Sequence, residues 1–139
     1  MPEPTRRWTP VTLPGDVPPP AGAYSPAIRA GDLVFVSGQV PRDPRTRELL
    51  GTTVSEQTRA VLENLRLALR AAGATLDDVV SVTAYLADAG DWGEFNDVNR
   101  SVFRAPYPTR TTVGAGLRDI LVEISAIAWV GGSREAERA

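Results

Sequence analysis

Two periods of apolar spacing alternate along the chain. Ala27 to Arg29 and Leu33 to Ser37 are short β-rich runs flanking Ala30-Gly31-Asp32, and Gly31 supplies the turn, so the first element is a predicted hairpin. Its second strand, DLVFVSGQV, stays apolar until Ser37-Gly38-Gln39. The spacing then lengthens. Val54, Thr58, Val61, Leu62, Leu65 and Leu69 recur at helical intervals behind Thr53-Val54-Ser55-Glu56, a capping-box sequence, and Gly73 ends the run. Val79 to Leu86 returns to strand character. A second amphipathic helix opens at Asp91-Trp92-Gly93-Glu94, carries Phe95, Val98, Val102 and Phe103, and is closed by Pro106 and Pro108. Two last strands, Arg110 to Leu117 and Ile120 to Val130, complete the order β-β-α-β-α-β, the closing β standing for that pair.

Two helices against a mixed sheet predict an α+β layer fold with both helices on one face. The last strand then poses a problem. Ile120, Val122, Ile124, Ala126, Ala128 and Val130 fall on one side by the two-residue period, and Leu121, Glu123, Ser125, Ile127 and Trp129 on the other. Both sides are largely apolar. Helices can cover only one of them, so the second is expected to be covered by another subunit, with Glu123 near that interface. Residues 1–21 hold seven of the twelve prolines, including Pro18-Pro19-Pro20, and are expected to form an extended arm. The domain proper is placed at residues 22–131, and 132–139 at the C-terminus is a polar tail.

A chain of 139 residues and 14.9 kDa fits one domain, which at this size buries roughly 70% of its unfolded surface. With 42% hydrophobic and 23% charged residues the composition is that of a soluble globular protein, and no apolar run suits a membrane span. The start MPEPTRRWTP lacks a signal-peptide apolar region, so the cytoplasm is the expected compartment. Histidine, cysteine and lysine are all absent, and the 15 basic residues are arginines. This excludes a Ser-His-Asp or Cys-His arrangement, a lysine Schiff base and the common zinc sites. Carboxylates, hydroxyls, arginine and the main chain remain. Arginine binds anions well but is a poor proton carrier. A net charge of -2 gives no electrostatic footprint for nucleic acid.

Within that inventory two residues stand out. Glu123 lies among apolar neighbours in LVEISAIA, where an unpaired carboxylate costs several kcal/mol, roughly, to desolvate. It therefore needs a partner, such as Arg110, or a task with a bound water or substrate. Arg110 starts a strand in which Thr112, Gly114 and Gly116 share its face, leaving room beside a guanidinium that can grip a carboxylate bidentately. A solvated strand-end arginine is the competing reading. Tyr24, Ser37, Gly38 and Asn96 are weaker signals. Ser25 and Ser37 lack a base to activate them, which argues against a serine nucleophile.

The ordered set Gly22-Ala23-Tyr24-Ser25-Pro26-Ala27, Ser37-Gly38-Gln39-Val40-Pro41, Glu56-Gln57-Thr58 with Asn64, Ala72-Gly73-Ala74, Phe95-Asn96-Asp97-Val98, Pro108-Thr109-Arg110 and Val122-Glu123-Ile124-Ser125-Ala126-Ile127-Ala128 resembles the RidA/YjgF family of reactive-intermediate (enamine/imine) deaminases. The match covers roughly residues 20 to 130. It implies a chorismate-mutase-like α+β fold assembled as a homotrimer with sites in the clefts between subunits. By the resemblance, Arg110 grips the carboxylate of a 2-imino or 2-enamino acid and Glu123 orients the attacking water. Tyr24, Ser37, Gly38, Asn96 and Thr112 line the pocket. No metal or organic cofactor is implied. The expected partner is a small-molecule carboxylate, not nucleic acid or membrane. The segment from Arg110 to Glu123 is shorter than in the best-studied members, and Arg118-Asp119 stands in place of their Leu-Pro turn. Two alternatives stay open: a non-catalytic trimeric binder of small carboxylates, and a pathway-specific deaminase or hydrolase with a larger substrate.

Overall fold

The computed structural model describes residues 5–132. Six strands form one mixed sheet: β1 (Thr9–Pro10), β2 (Ala27–Ala30), β3 (Leu33–Gln39), β4 (Val79–Leu86), β5 (Thr109–Gly114) and β6 (Val122–Trp129). Across the sheet they lie in the order β1-β2-β3-β6-β4-β5. Helices α1 (Val54–Ala71) and α2 (Trp92–Val102) pack together, with α1 lying on β6 and β3. The fold is α+β with both helices on one face, as the periodicity predicts. Two details differ from the expected β-β-α-β-α-β order. The proline-rich arm contributes β1, paired antiparallel to β2, and its Val11 and Leu13 pack against the core. The two closing strands are not neighbours: β6 runs down the middle, antiparallel to β3 and β4, while β5 lies at the edge, parallel to β4. Of the polar tail expected over 132–139, only Gly132 is among the described residues.

Local chemistry explains where the elements begin and end. The hairpin between β2 and β3 turns through Gly31 at φ 59°, a left-handed conformation that costs glycine nothing. Thr53 Oγ1 caps α1, accepting from the Glu56 amide at 3.1 Å and donating to the Glu56 carboxylate at 3.0 Å. Glu94 in the first turn of α2 accepts from both the amide and the hydroxyl of Ser55, at 3.1 and 2.8 Å, which ties α2 to the start of α1. Val34, Val36, Val82, Ala84, Leu86, Val122, Ile124, Ala126 and Ala128 meet Val61, Leu62, Leu65, Leu69, Phe95 and Val98 in the core. Each large apolar side chain buried there contributes about 1.5–3 kcal/mol. On the other face Phe35 and Trp129 remain 38% and 45% exposed, so in a single chain that face is uncovered.

The last two strands are shorter than Arg110–Leu117 and Ile120–Val130. After Gly114 the chain turns away through Asp119, at φ 57°, and the Leu121 amide donates to Gln57 Oε1 at 2.8 Å instead of entering a strand. Gln57 is 2% exposed, and its Nε2 donates to the Gly51 carbonyl at 3.2 Å. One buried amide thus pins two loops, and the second of them sets the start of β6 and hence the position of Glu123. Gln57→Leu keeps the volume but strands both backbone groups. It is expected to lower unfolding stability by about 1–3 kcal/mol per stranded group. Denaturant titration checks this, and an unmoved midpoint would show that the two loops hold without the amide.

Candidate active site

The register of the sheet decides which candidate residues can meet. In β6 the residues Val122, Ile124, Ala126 and Ala128 point into the core, so Glu123 points to the uncovered face, opposite Tyr85 of β4. In β4 the residues Val82, Ala84 and Leu86 are buried under the helices, and their partners in β5 are Arg110, Thr112 and Gly114. Arg110 and Thr112 therefore lie on the helix face. The sheet stands between Arg110 and Glu123, and the ion pair considered from sequence does not form within one chain. Neither side chain has a hydrogen-bond or ion-pair partner among the described residues, where the ion pairs are Asp16–Arg45, Glu63–Arg66 and Asp77–Arg104.

Glu123 belongs with Ser37 and Gly38. Its carboxyl group lies directly over the Gly38 Cα: a Cβ there would run into Oε2 and come within 2.9 Å of Cδ and 3.1 Å of Cγ. Glycine at 38 is thus what lets the carboxylate settle against β3. Ser37 donates its hydroxyl to the Ser25 carbonyl at 2.6 Å, and its amide donates to the Pro26 carbonyl at 3.0 Å. These bonds fix the Tyr24-Ser25-Pro26 segment to the same strand. They also commit the Ser37 proton, leaving its lone pairs and the main chain for a ligand. Tyr24 is 58% exposed. It lines, with Gly38, Asn64 and arm residues such as Val17 and Pro20, a cavity of about 190 Å³ that reaches neither Glu123 nor Arg110. Partial burial without a cation pushes the Glu123 carboxyl above the usual carboxylate range.

Arg110 belongs with α2. Its guanidinium carbon is 5.3 Å from the ring centroids of both Trp92 and Phe95. It borders a cleft of about 320 Å³ with Asn96, Asn99, Arg100, Tyr107, Pro108 and Val82. Burial pulls the guanidinium below its ordinary value, and no carboxylate among the described residues opposes the effect. Asn96 is half-buried in that cleft, and Thr112 follows Arg110 on the same face. Asn99 was not among the residues expected to line the pocket. It is 6% exposed and its Oδ1 is buried with no hydrogen-bond partner among the described residues, an arrangement that costs about 1–3 kcal/mol. One signal was available: Asn99 falls four residues after Phe95, a polar residue within the apolar stripe of α2.

The structure thus defines a one-sided α+β domain of the chorismate-mutase-like class, with an unneutralised carboxylate on one sheet face and an unneutralised guanidinium on the other. The chain belongs to the L-PSP family, also called RidA/YjgF: the family model described as Endoribonuclease L-PSP matches residues 15–130. A RutC family protein of Pyrococcus horikoshii is 43% identical over 116 residues, 82% of this chain and 92% of that one. A protein of Dermatophagoides farinae named 2-iminobutanoate/2-iminopropanoate deaminase is 33% identical over 112 residues, 79% of this chain and 88% of its own. Among solved structures, RidA from the Antarctic bacterium Psychrobacter superposes with a TM-score of 0.78 at 34% identity, covering 86% of this chain and 98% of the other. TdcF of E. coli with bound serine gives a TM-score of 0.77 at 34% identity and the same coverages, 86% and 98%. Among the described residues no helix is long and apolar enough to cross a membrane.

The direction of the Glu123 shift sets a pH dependence. A carboxyl whose folded value is raised binds more protons in the folded than in the unfolded chain, so stability falls as pH rises from the ordinary 4.5 toward the raised value, and the penalty persists above it. Glu123→Gln removes that penalty. The variant is expected to be more stable than the parent at neutral pH, with the difference closing below pH 4.5. Thermal unfolding of the two proteins across this range checks it, and a variant less stable at neutral pH would show that Glu123 holds the fold.

Proposed function

We propose that the protein hydrolyses 2-imino and 2-enamino acids to 2-oxo acids and ammonia, in clefts between subunits of a homotrimer, without a cofactor. The observation that carries this reading is the pair of charges left without protein partners on opposite sheet faces. A site that uses both Arg110 and Glu123 needs Arg110 from one copy and Glu123 from another. The uncovered face carrying Phe35 and Trp129 is where a second copy would sit. Support also comes from the relative named as an imine deaminase and from the relative whose structure holds serine, a small amino acid with a carboxylate.

The steps follow from the groups available. The Arg110 guanidinium binds the substrate carboxylate through two parallel hydrogen bonds and fixes its orientation. The C=NH2⁺ carbon of the protonated imine is already electrophilic, so the enzyme supplies a placed water and not a strong nucleophile. Glu123, with its raised affinity for protons, takes one proton as the water oxygen bonds to that carbon. It then returns the proton to the nitrogen; as the C–N bond breaks and ammonia leaves, the hydroxyl group gives up its proton through Glu123 to that ammonia, and the net change is protonated imine plus water to 2-oxo acid plus ammonium. An enamine substrate enters after protonation at carbon to the imine. Gly38 holds the carboxylate in place, Asn96, Asn99 and Thr112 bound the cleft on the Arg110 side, and Tyr24 enters from the neighbouring copy.

Imines generated in situ from several amino acids, with 2-oxo acid release followed, test the proposal. Release faster than the buffer control is expected, and rates equal to the control for every substrate would refute hydrolysis. Glu123→Gln is expected to lower kcat by about 10²- to 10⁴-fold, the usual span for a lost general base. Gly38→Ala should follow it, by displacing the same carboxylate. Arg110→Ala is expected to raise KM by about 10- to 100-fold, the worth of charge-assisted hydrogen bonds, while the molar mass by light scattering stays that of a trimer. A binder that only holds small carboxylates is the second reading, favoured by the serine complex of the relative. It would show carboxylate-dependent thermal stabilisation and no turnover.

A further inference from the structure

The aromatic contacts of Arg110 carry an inference about how the guanidinium is aimed, and it rests on the carboxylate-binding role given to Arg110 above. Trp92 opens α2 and Phe95 follows three residues later, so both rings lie on one side of the helix. Both centroids are 5.3 Å from the Arg110 guanidinium carbon, within the range of cation–π attraction. The two rings differ in burial. Phe95 is 0% exposed and belongs to the core, whereas Trp92 is 48% exposed and is not part of the core cluster. Burial in the core is therefore not the reason for a large indole at this helix start. Its contact with Arg110 supplies one.

The helix turn that carries Trp92 is braced on both sides. Glu94 is bonded to Ser55 of α1, and Asp88 accepts from the Gly90 amide at 2.8 Å in the turn just before α2. A ring held this way restricts the plane of the guanidinium by contact with its face, and it consumes none of the five N–H groups around the edge. A carboxylate partner would do the opposite, fixing the arginine by occupying the donors a ligand needs. Aromatic contact is the way to hold this cation while leaving its edge free.

We propose that Trp92 is a positioning residue for Arg110, its indole fixing the guanidinium plane so that the free N–H edge meets the carboxylate of the ligand. Binding of a carboxylate then changes the charge distribution next to the indole, so Trp92 also reports occupancy. The chain has three tryptophans. Trp8 stacks with Arg6 near the arm strand and Trp129 lies at the end of β6, so the Trp8→Phe/Trp129→Phe protein leaves Trp92 as the sole indole.

Titrating that protein with 2-oxobutanoate is expected to give a saturable change in tryptophan emission, and 2-oxobutanamide, which lacks the charge, is expected to give none. In the otherwise native chain, Trp92→Leu is expected to raise KM for the imino acid by about 3- to 30-fold, the range of a cation–π contact, with kcat within about twofold. Trp92→Phe should recover most of the affinity. A purely structural role would lower the melting temperature and the active fraction together and leave KM unmoved, and that result would overturn the proposal. Carboxylate binding by the parent, measured by calorimetry, with KM unchanged in Trp92→Leu would overturn it alone. No carboxylate binding by the parent would overturn both it and the functional reading.

Discussion

Side chains alternate across a strand, and in a sheet covered on one face only this alternation decides which charges can meet. β6 has its even-numbered residues in the core, which sends Glu123 to the uncovered face. β5 takes its register from β4, which sends Arg110 toward the helices. The sheet between them removes the simplest way of neutralising two half-buried charges. An intramolecular ion pair would have cancelled much of the desolvation of both groups and would also have consumed the donors and the lone pairs that chemistry needs. What the register keeps apart within one chain, a second chain can bring together. The same register leaves Phe35 and Trp129 facing outward, so the face that needs a partner for its apolar surface is also the face that presents the carboxylate.

Each charge is held by a contact that does not neutralise it. Glu123 rests on the bare Cα of Gly38, where any larger residue would clash, and its proton affinity is raised as a result of burial. Arg110 rests on the faces of Trp92 and Phe95. Asn99 adds a third strained element beside the cleft, an amide oxygen without a donor. None of the three polar groups has a hydrogen bond or ion pair from its side-chain atoms that offsets its burial among the described residues. Partly buried charges and buried polar atoms without partners are the expected signature of a site prepared for a ligand. Gln57 and Thr58, buried polar residues of α1, are by contrast hydrogen-bonded.

Much of this was legible in the sequence because it depends on period and on local caps. Both helices, the hairpin at Gly31 and the strand Val79–Leu86 follow from spacing and turn chemistry, and the two faces of β6 follow from alternation alone. The face of Arg110 was legible only relative to its own strand. Thr112 and Gly114 share it, but whether that side meets helix or solvent depends on the parallel register with β4, a long-range pairing that no local pattern encodes. The ends of β5 and β6 were misplaced for a related reason. Ile120 and Leu121 are as apolar as the strand they precede, yet a side-chain amide sixty-four residues away in sequence takes the Leu121 N–H. β1 escaped notice because two residues, one of them proline, carry no period, and proline is tolerated there only because β1 is an edge strand.

The family description and the proposed chemistry make different demands on these residues, and the geometry favours one of them. An endoribonuclease needs a surface for a polyanion and an acid able to protonate a poor alkoxide leaving group near neutrality. This chain has a net charge of -2, no histidine and no lysine, and Arg110 beside the candidate cleft is walled by aromatic rings. An imino acid asks for much less. It brings its own electrophile, a single planar carboxylate that matches one guanidinium edge, and a leaving nitrogen that is protonated easily once water has added. A carboxyl group with raised proton affinity and a fixed guanidinium suffice for that reaction. A chain stripped of histidine, cysteine and lysine can still supply both.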